Sequence, residues 1–329
     1  MSETVLTVQL AGIGDMVLTT PLLKCLKDSG KKVHLIASGA NHGIIREQPF
    51  IDKLLIYKKG LFGITGLIRE IRKTDYDLYI DPKDHRSTES RIISSFVRAD
   101  ARTGFPANFI FKAPDNSVPS DPDNAGIHAA ERNIRAAQKS GCETSFNRPF
   151  LEIPPDMEND FRSFCRASSV TKYVCVNISA NSADRRWPPE KWETLCGELL
   201  LSCGVPGIVM ISSPRDSEKA RSICEKTGAF FYDSSDDIRK VMPVIKNSSA
   251  VITADTSIVH IASAFNAPLL ALYLFNRRMY AKYKPLSDIS ETVFGKERDE
   301  NSGVKTVEKI KLQDVLEAYK NISEKLSAG

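Results

Sequence analysis

The sequence predicts an α/β protein of two consecutive doubly wound, Rossmann-like domains facing a central cleft. Three observations predict it. At 329 residues the chain is longer than one hydrophobic core usually serves. Short runs rich in Val, Ile and Leu alternate with stretches of helical period, the rhythm of a parallel sheet with helices on both faces. That rhythm is interrupted at residues 113–126, "APDNSVPSDPDNAG", and then starts again. The expected domains are 1–155 and 156–329, with the last helix free to pack back on the first domain.

The elements follow in order. "TVLTVQL" is an apolar strand, and "DMVLTTPLLKCLKDSG" is an amphipathic helix that ends at Gly30. "KKVHLIAS" and "DKLLIYK" are strands, "GITGLIREIRKT" is a helix, and "YDLYIDP" is a strand again. After the proline-rich surface loop, "HAAERNIRAAQKSG" is a helix with an alanine stripe, and a bridging helix over 157–167 leads into the second domain. There "YVCVNIS", "GIVMISS", "AVITAD" and "APLLALYL" read as strands. Between and after them "PEKWETLCGELLLSCG", "DSEKARSICEKTG", "IRKVMPVIKNSS", "TSIVHIASAFN" and "KLQDVLEAYKNISEKL" read as helices.

A composition of 42% hydrophobic and 26% charged residues is that of an ordinary soluble globular protein. No stretch approaches the roughly 20 apolar residues of a membrane-spanning helix, and the first apolar run has no basic leader. Seven cysteines, none in a CxxC pair, read as reduced core thiols of a cytoplasmic protein rather than a disulfide or zinc framework. The formal charge of +4 is unevenly placed: residues 1–150 hold 21 Lys and Arg against 17 Asp and Glu, and the remainder holds 24 of each. The surplus in the first half is either a solvated face or a surface that meets an anionic partner such as phosphorylated lipid headgroups. Nucleic acid is set aside, because no recognised motif or basic–aromatic stripe is present.

Ligands of doubly wound sheets bind at the carboxyl ends of strands, and three strand-to-helix junctions carry the unusual residues. The first is Gly12-Ile13-Gly14-Asp15. Val17 stands where a dinucleotide fingerprint needs its third glycine. Asp15 either caps the helix or presents a carboxylate to whatever lies above the turn. The second junction is "NISANSADRRWPPEKW", where Ser179, Asn181 and Ser182 precede Arg185 and Arg186, and Lys191 falls in the first turn of the next helix. It suits a phosphate or diphosphate; the alternative is a basic loop over a packed tryptophan. The third is "ITADTSIVHIASAFNAP". Asp255 ends a strand, Thr256 and Ser257 open a helix whose N-terminus attracts anions, and His260 lies one turn in. A carboxylate at an anion-attracting helix start suggests a nucleotide-sugar, with Asp255 toward sugar hydroxyls and backbone N–H groups toward phosphate. Asp216, after another strand, either accepts from a ribose or caps a helix. In the first domain, Lys83, His85 and Arg86 follow a strand where a phosphorylated acceptor sugar would lie; His128, Arg132 and Asn133 share a helix whose orientation the sequence leaves open.

Taken together, "GIGDMVLTTPLLKCLK", "RRWPPEKW" and "DTSIVHIASAFNAPLLALY" resemble the motifs of the bacterial heptosyltransferases of glycosyltransferase family nine, in order and spacing, and the resemblance covers nearly the whole chain. It implies a GT-B fold, with the acceptor held mainly by the first domain and the donor by the second. It implies transfer of heptose from ADP-heptose to the inner core of lipopolysaccharide with inversion, without a metal ion or other cofactor, at the cytoplasmic face of the inner membrane and peripherally bound to it. Asp15 matches the family's general base. Asn181, Arg185, Asp255, Thr256, Ser257 and His260 match donor-binding positions, Asp216 matches an acid that contacts the nucleoside, and Ser182 and Lys191 complete the expected donor set. Gly14 joins Lys83, His85 and Arg86 on the acceptor side. Ser257 departs from the family, which usually has Gly after the Asp-Thr pair, so the sequence also admits a GT-B transferase with another donor or acceptor. A non-catalytic nucleotide-sugar-binding protein is the reading from a different class; it has no use for a base at Asp15.

Overall fold

A computed structural model describes residues 2–119, 126–143, 148–295 and 306–328. The chain divides into two units, Met1–Glu152 with Ala281–Tyr283, and Ile153–Tyr280 with Lys284–Gly329.

In the first unit the elements run β1 (Thr4–Gln9), α1 (Ile13–Asp28), β2 (Lys32–Ser38), α2 (His42–Ile45), β3 (Lys53–Tyr57), α3 (Leu61–Ile71), β4 (Tyr76–Asp81), α4 (Thr88–Phe96), β5 (Ala99–Gly104), β6 (Asn116–Ser117) and α5 (Ala129–Lys139). The strands form one parallel sheet in the order β3-β2-β1-β4-β5-β6. Near-continuous apolar runs are what a parallel sheet requires, because both its faces are covered. One face packs Leu6, Val8, Ile36 and Tyr79 against Leu67 and Ile71 of α3 and Ile93 of α4. On α1, ten residues are buried, and α1 lies against α5.

The second unit repeats the plan with α6 (Pro155–Ala167), β7 (Val174–Asn177), α7 (Pro189–Leu201), β8 (Ile208–Ile211), α8 (Ser217–Thr227), β9 (Phe230–Phe231), α9 (Val241–Lys246), β10 (Ala250–Ala254), α10 (Ser257–Ala264), β11 (Leu269–Leu274), α11 (Arg277–Tyr283), β12 (Ser290–Gly295) and α12 (Leu312–Ala328). Its parallel sheet has the order β12-β11-β10-β7-β8-β9. Counted from its own first strand this is the same winding as the first sheet. In each sheet the strand order therefore reverses between the first and fourth strands, β1 and β4 or β7 and β10, and the crevice at that point is where such folds take ligands.

Several elements differ from the sequence reading. α2, α4, β5, β9, α11 and β12 were not expected. β5 reads "ADARTG", yet it lies between β4 and β6, and its Arg102 is buried with the guanidinium donating to the carbonyls of Ser94 and Val97. Local polarity hid a strand whose Arg102 guanidinium is taken inside by two carbonyls of the preceding segment. The loop expected over 113–126 contains β6, and its residues 120–125 lie outside those described. α12 packs on β11, β12 and α7 of its own unit. None of the seven cysteines forms a disulfide; five are buried, Cys165 is half-buried and Cys203 is exposed.

Candidate active site

In the first unit the crevice between β1 and β4 is a small cavity of about 50 Å³, lined among others by Asp15, Lys83, Asp84, Arg132, Lys282 and Tyr283. Gly12 is the N-cap of α1, and Asp15 is the helix's third residue. Asp15 Oδ2 accepts from the Gly12 N–H at 3.2 Å, and the Tyr283 hydroxyl donates to Oδ1 at 3.4 Å. The two readings of Asp15 are thus compatible: one oxygen closes the helix start while the other faces the cavity. Burial, reinforced by the Asp15 charge, pushes the Tyr283 phenol well up, so it remains a proton donor.

The centre of this cavity is Asp84, which the sequence reading passed over. It is 2% exposed. The Arg132 guanidinium binds its Oδ2, the Lys282 ammonium reaches the same oxygen at 3.0 Å, and His85 Nδ1 lies 2.9 Å from Oδ1. Burial would raise the Asp84 pKa, but the Arg132 charge and the donors on His85 and Lys282 outweigh it and hold the carboxyl at about 2. Asp81, at the end of β4, behaves oppositely: burial pushes its pKa up, although hydrogen bonds from Ser90, the Lys83 N–H and Asn108 Nδ2 and the Lys83 charge oppose it. His85 and Arg86 are exposed, Lys83 is half-buried, and Gly14 sits within the turn that opens α1. The α5 face is also oriented: His128 caps the helix, Arg132 reaches Asp84, and Asn133 donates to the Leu18 carbonyl at 2.8 Å. The only local signal for Asp84 was a second carboxylate three residues past the strand end in "DPKD".

In the second unit the crevice lies between β7 and β10. Asn177 ties the two strands by donating to Thr253 Oγ1 at 2.8 Å. Just beyond them Arg185 Nη1 lies 3.1 Å from Asp255 Oδ2, so residues 70 apart meet where the sequence reading put a diphosphate and a sugar. Burial raises the Asp255 pKa and Asp184 adds to it, with Arg185 opposing. Thr256 caps α10 by accepting from the Ile258 N–H at 3.3 Å, Ser257 is its first residue, and His260 is buried one turn in. Asn181 is exposed, and Ser182 is half-buried at the start of a 3₁₀ turn, Ala183–Arg185.

Asp216 stands at the start of α8 but makes no capping bond. Its Oδ2 instead accepts from Ser213 Oγ at 2.9 Å, and Ser179 Oγ donates to Ser213 Oγ at 3.1 Å, linking the loops after β7 and β8. Burial opposes ionisation, but these hydroxyls with Arg215 and Lys219 lower its pKa. It lines a cavity of about 200 Å³ together with Arg186, Trp187, Trp192, Lys219 and Glu308. Lys191 does not join the Arg185–Asp255 group: its ammonium donates to the carbonyls of Ile310 at 2.8 Å and Glu308 at 2.6 Å. Among the described residues no group of three or more His, Cys, Asp and Glu side chains could hold a metal ion, and no helix is long and apolar enough to cross a membrane.

Two doubly wound parallel sheets of the same winding, each with its polar groups at the switch point, define the GT-B fold. The pattern of glycosyltransferase family 9 (heptosyltransferase) matches residues 64–311, and the chain belongs to that family. It is a heptosyltransferase-family enzyme. Lipopolysaccharide heptosyltransferase 3 of Escherichia coli strain K12 is 24% identical over 285 residues, covering 79% of each chain. Among solved structures, a family 9 glycosyl transferase from Veillonella parvula DSM 2008 is similar with a TM-score of 0.84 at 19% identity, over 98% of both chains. The E. coli ADP-heptose lipopolysaccharide heptosyltransferase II is similar with a TM-score of 0.78 at 18% identity, over 99% of this chain and all of that one.

Proposed function

We propose that the protein transfers heptose from ADP-heptose to the inner core of lipopolysaccharide with inversion, using Asp15 as general base and no metal ion, in the cytoplasm at the inner membrane. The observation that carries this reading is Asp15 at the first switch point, with Oδ2 occupied by Gly12 and Oδ1 turned to the cavity beside Tyr283. As the acceptor oxygen bonds to the anomeric carbon it must lose its proton, and a carboxylate within reach takes it. The bond from that carbon to the diphosphate breaks, and its electron pair leaves with ADP. Arg185 and the positive end of the α10 dipole are the charges that would meet the departing diphosphate. Asp255, Ser257 and His260 would face the sugar and phosphates, and Asp216 the ribose, with Asn181 and Ser182 beside them. Lys83, His85, Arg86 and Gly14 would receive the acceptor. Lys191, whose ammonium donates to the carbonyls of Glu308 and Ile310, would meet the donor with its remaining N–H.

The donor and acceptor are those in the names of the relatives, which supports the reading at the level of substrate class. The test is turnover in a buffer containing EDTA, with calorimetry against ADP, ADP-heptose, UDP and GDP. Asp15→Asn should lower kcat by about 10²–10⁴-fold and leave ADP affinity within twofold of the parent. Unchanged turnover would remove Asp15 from the mechanism. Preference for UDP or GDP would keep the base and replace the heptose donor, the outcome that Ser257 leaves open.

A further inference from the structure

The first unit carries an exposed apolar and basic surface that the reaction does not use. Phe62 is 92% exposed and Phe111 84% exposed, and Ile110 is exposed beside Phe111. A side chain of that size in water is ordinary when isolated, whereas several at one end mark a binding surface. The parallel sheet brings these to the same carboxyl end, with β2, β1 and β4 between the strands they follow. Phe62 lies in the first turn of α3, which follows the carboxyl end of β3, and Ile110 and Phe111 follow the carboxyl end of β5. Ile64 of α3 and Phe109 pack on the same core cluster, so both segments cover the same sheet face.

The charge beside this end is one-sided. Residues 53–73, "KLLIYKKGLFGITGLIREIRK", hold six Lys and Arg against one Glu, an excess larger than the net charge of the whole chain. That Glu70 is engaged by Lys73 and Lys53. Among the described residues no carboxylate pairs with Lys58, Lys59 or Arg69. The outward face of α3 runs Phe62, Thr65, Gly66 and Arg69, and the exposed Arg72 and Lys73 follow its end, so it is apolar or small at its start and basic at its end. Two glycines fix the Lys58–Lys59 turn against it. Gly60 has φ 98°, and a Cβ on Gly63 would collide with the Lys58 carbonyl.

Cations flanking exposed aromatic side chains match an anionic lipid surface, where the rings enter the headgroup boundary and the lysines neutralise phosphate. We infer that the Lys58–Phe62 turn and the Ile110–Phe111 segment dock the protein on a bilayer of anionic phospholipid. This deepens the function proposed above and rests on it for the need: a lipid-linked acceptor is met at a membrane. Lys83, His85 and Arg86 follow β4 and so share the carboxyl edge of the same sheet, and docking there would hold the proposed acceptor residues near the bilayer.

The experiment is sedimentation of the full-length protein with vesicles of mixed phosphatidylglycerol and phosphatidylcholine, and with phosphatidylcholine alone, at low and high salt. Expected is binding to the anionic vesicles only, weakened by salt. It should fall at least tenfold in Phe62→Ser/Phe111→Ser and in Lys58→Glu/Lys59→Glu, while turnover of a soluble, lipid-free acceptor fragment stays unchanged in both. Equal binding to neutral vesicles, no binding to anionic ones, or binding unaltered by both variants would overturn the inference. So would a change of oligomeric state in the phenylalanine variant without vesicles, which would make this a contact between copies. Vesicle binding by a protein that transfers no heptose would defeat the proposed function and leave the surface standing.

Discussion

Asp84 shows what a single residue contributes when its partners are remote in sequence. Its two cations come from 48 and 198 residues away, so no local pattern could announce it. Asp15 and Asp255 could be singled out for the opposite reason: each follows a strand, at a glycine turn or a helix start, among neighbours that mark the position. Removing Asp84 leaves Arg132, itself about nine-tenths buried, without its counter-charge. Asp84→Asn should therefore cost about 3–5 kcal/mol, measured as a lower urea midpoint for the first unit. The pH dependence has a definite sign. A carboxyl held at about 2 in the folded protein ionises more easily than in the unfolded chain. Its stabilisation is thus full above about pH 4 and is lost as the pH falls toward 2. The Asn variant should lack that part of the acid sensitivity. Retention of the same acid profile would show that the clamp contributes nothing to it.

At the scale of elements, the strands that read as apolar runs were β1, β2, β3, β4, β7, β8, β10 and β11, all central but the edge strand β3, because burial on both faces leaves only one kind of sequence. The polar β5 and the edge strand β12 escaped, since pairing and long-range hydrogen bonds rather than composition hold them. The end of β5 also shows how tightly the site's framework is packed. A Cβ at Gly104 would come within 2.7 Å of the Phe109 ring and 3.0 Å of the Asp81 carbonyl, joining the strand that leads to Asp84 with the segment that leads to Phe111. Gly104→Ala should destabilise the first unit by about 1–3 kcal/mol, the usual cost of overpacking. It should also weaken vesicle binding, because Phe109 must shift. A variant of parental stability would mean that the ring moves freely.

For the whole molecule, the repeated winding puts the candidate groups at equivalent positions in each half, just past the first and fourth strands. ADP should therefore slow amide hydrogen exchange at 177–186 and 255–261, and leave 76–81 within β4 unaltered. Slowing confined to the first unit would reverse the assignment of donor and acceptor halves. Two domains and a division near residue 155 were the natural reading of a rhythm that stops and restarts. The return of Ala281–Tyr283 to the first unit was not, because the sequence there simply continues a helix. That return has a practical consequence for anyone dividing the gene. A stop codon after residue 152 yields a polypeptide with every strand of the first sheet, yet Asp84 in it has one cation in place of two and Asp15 has lost its phenol. The first half is complete as a fold and incomplete as a site, so expressing it alone would yield a scaffold missing Lys282 and Tyr283 from the cavity beside Asp15.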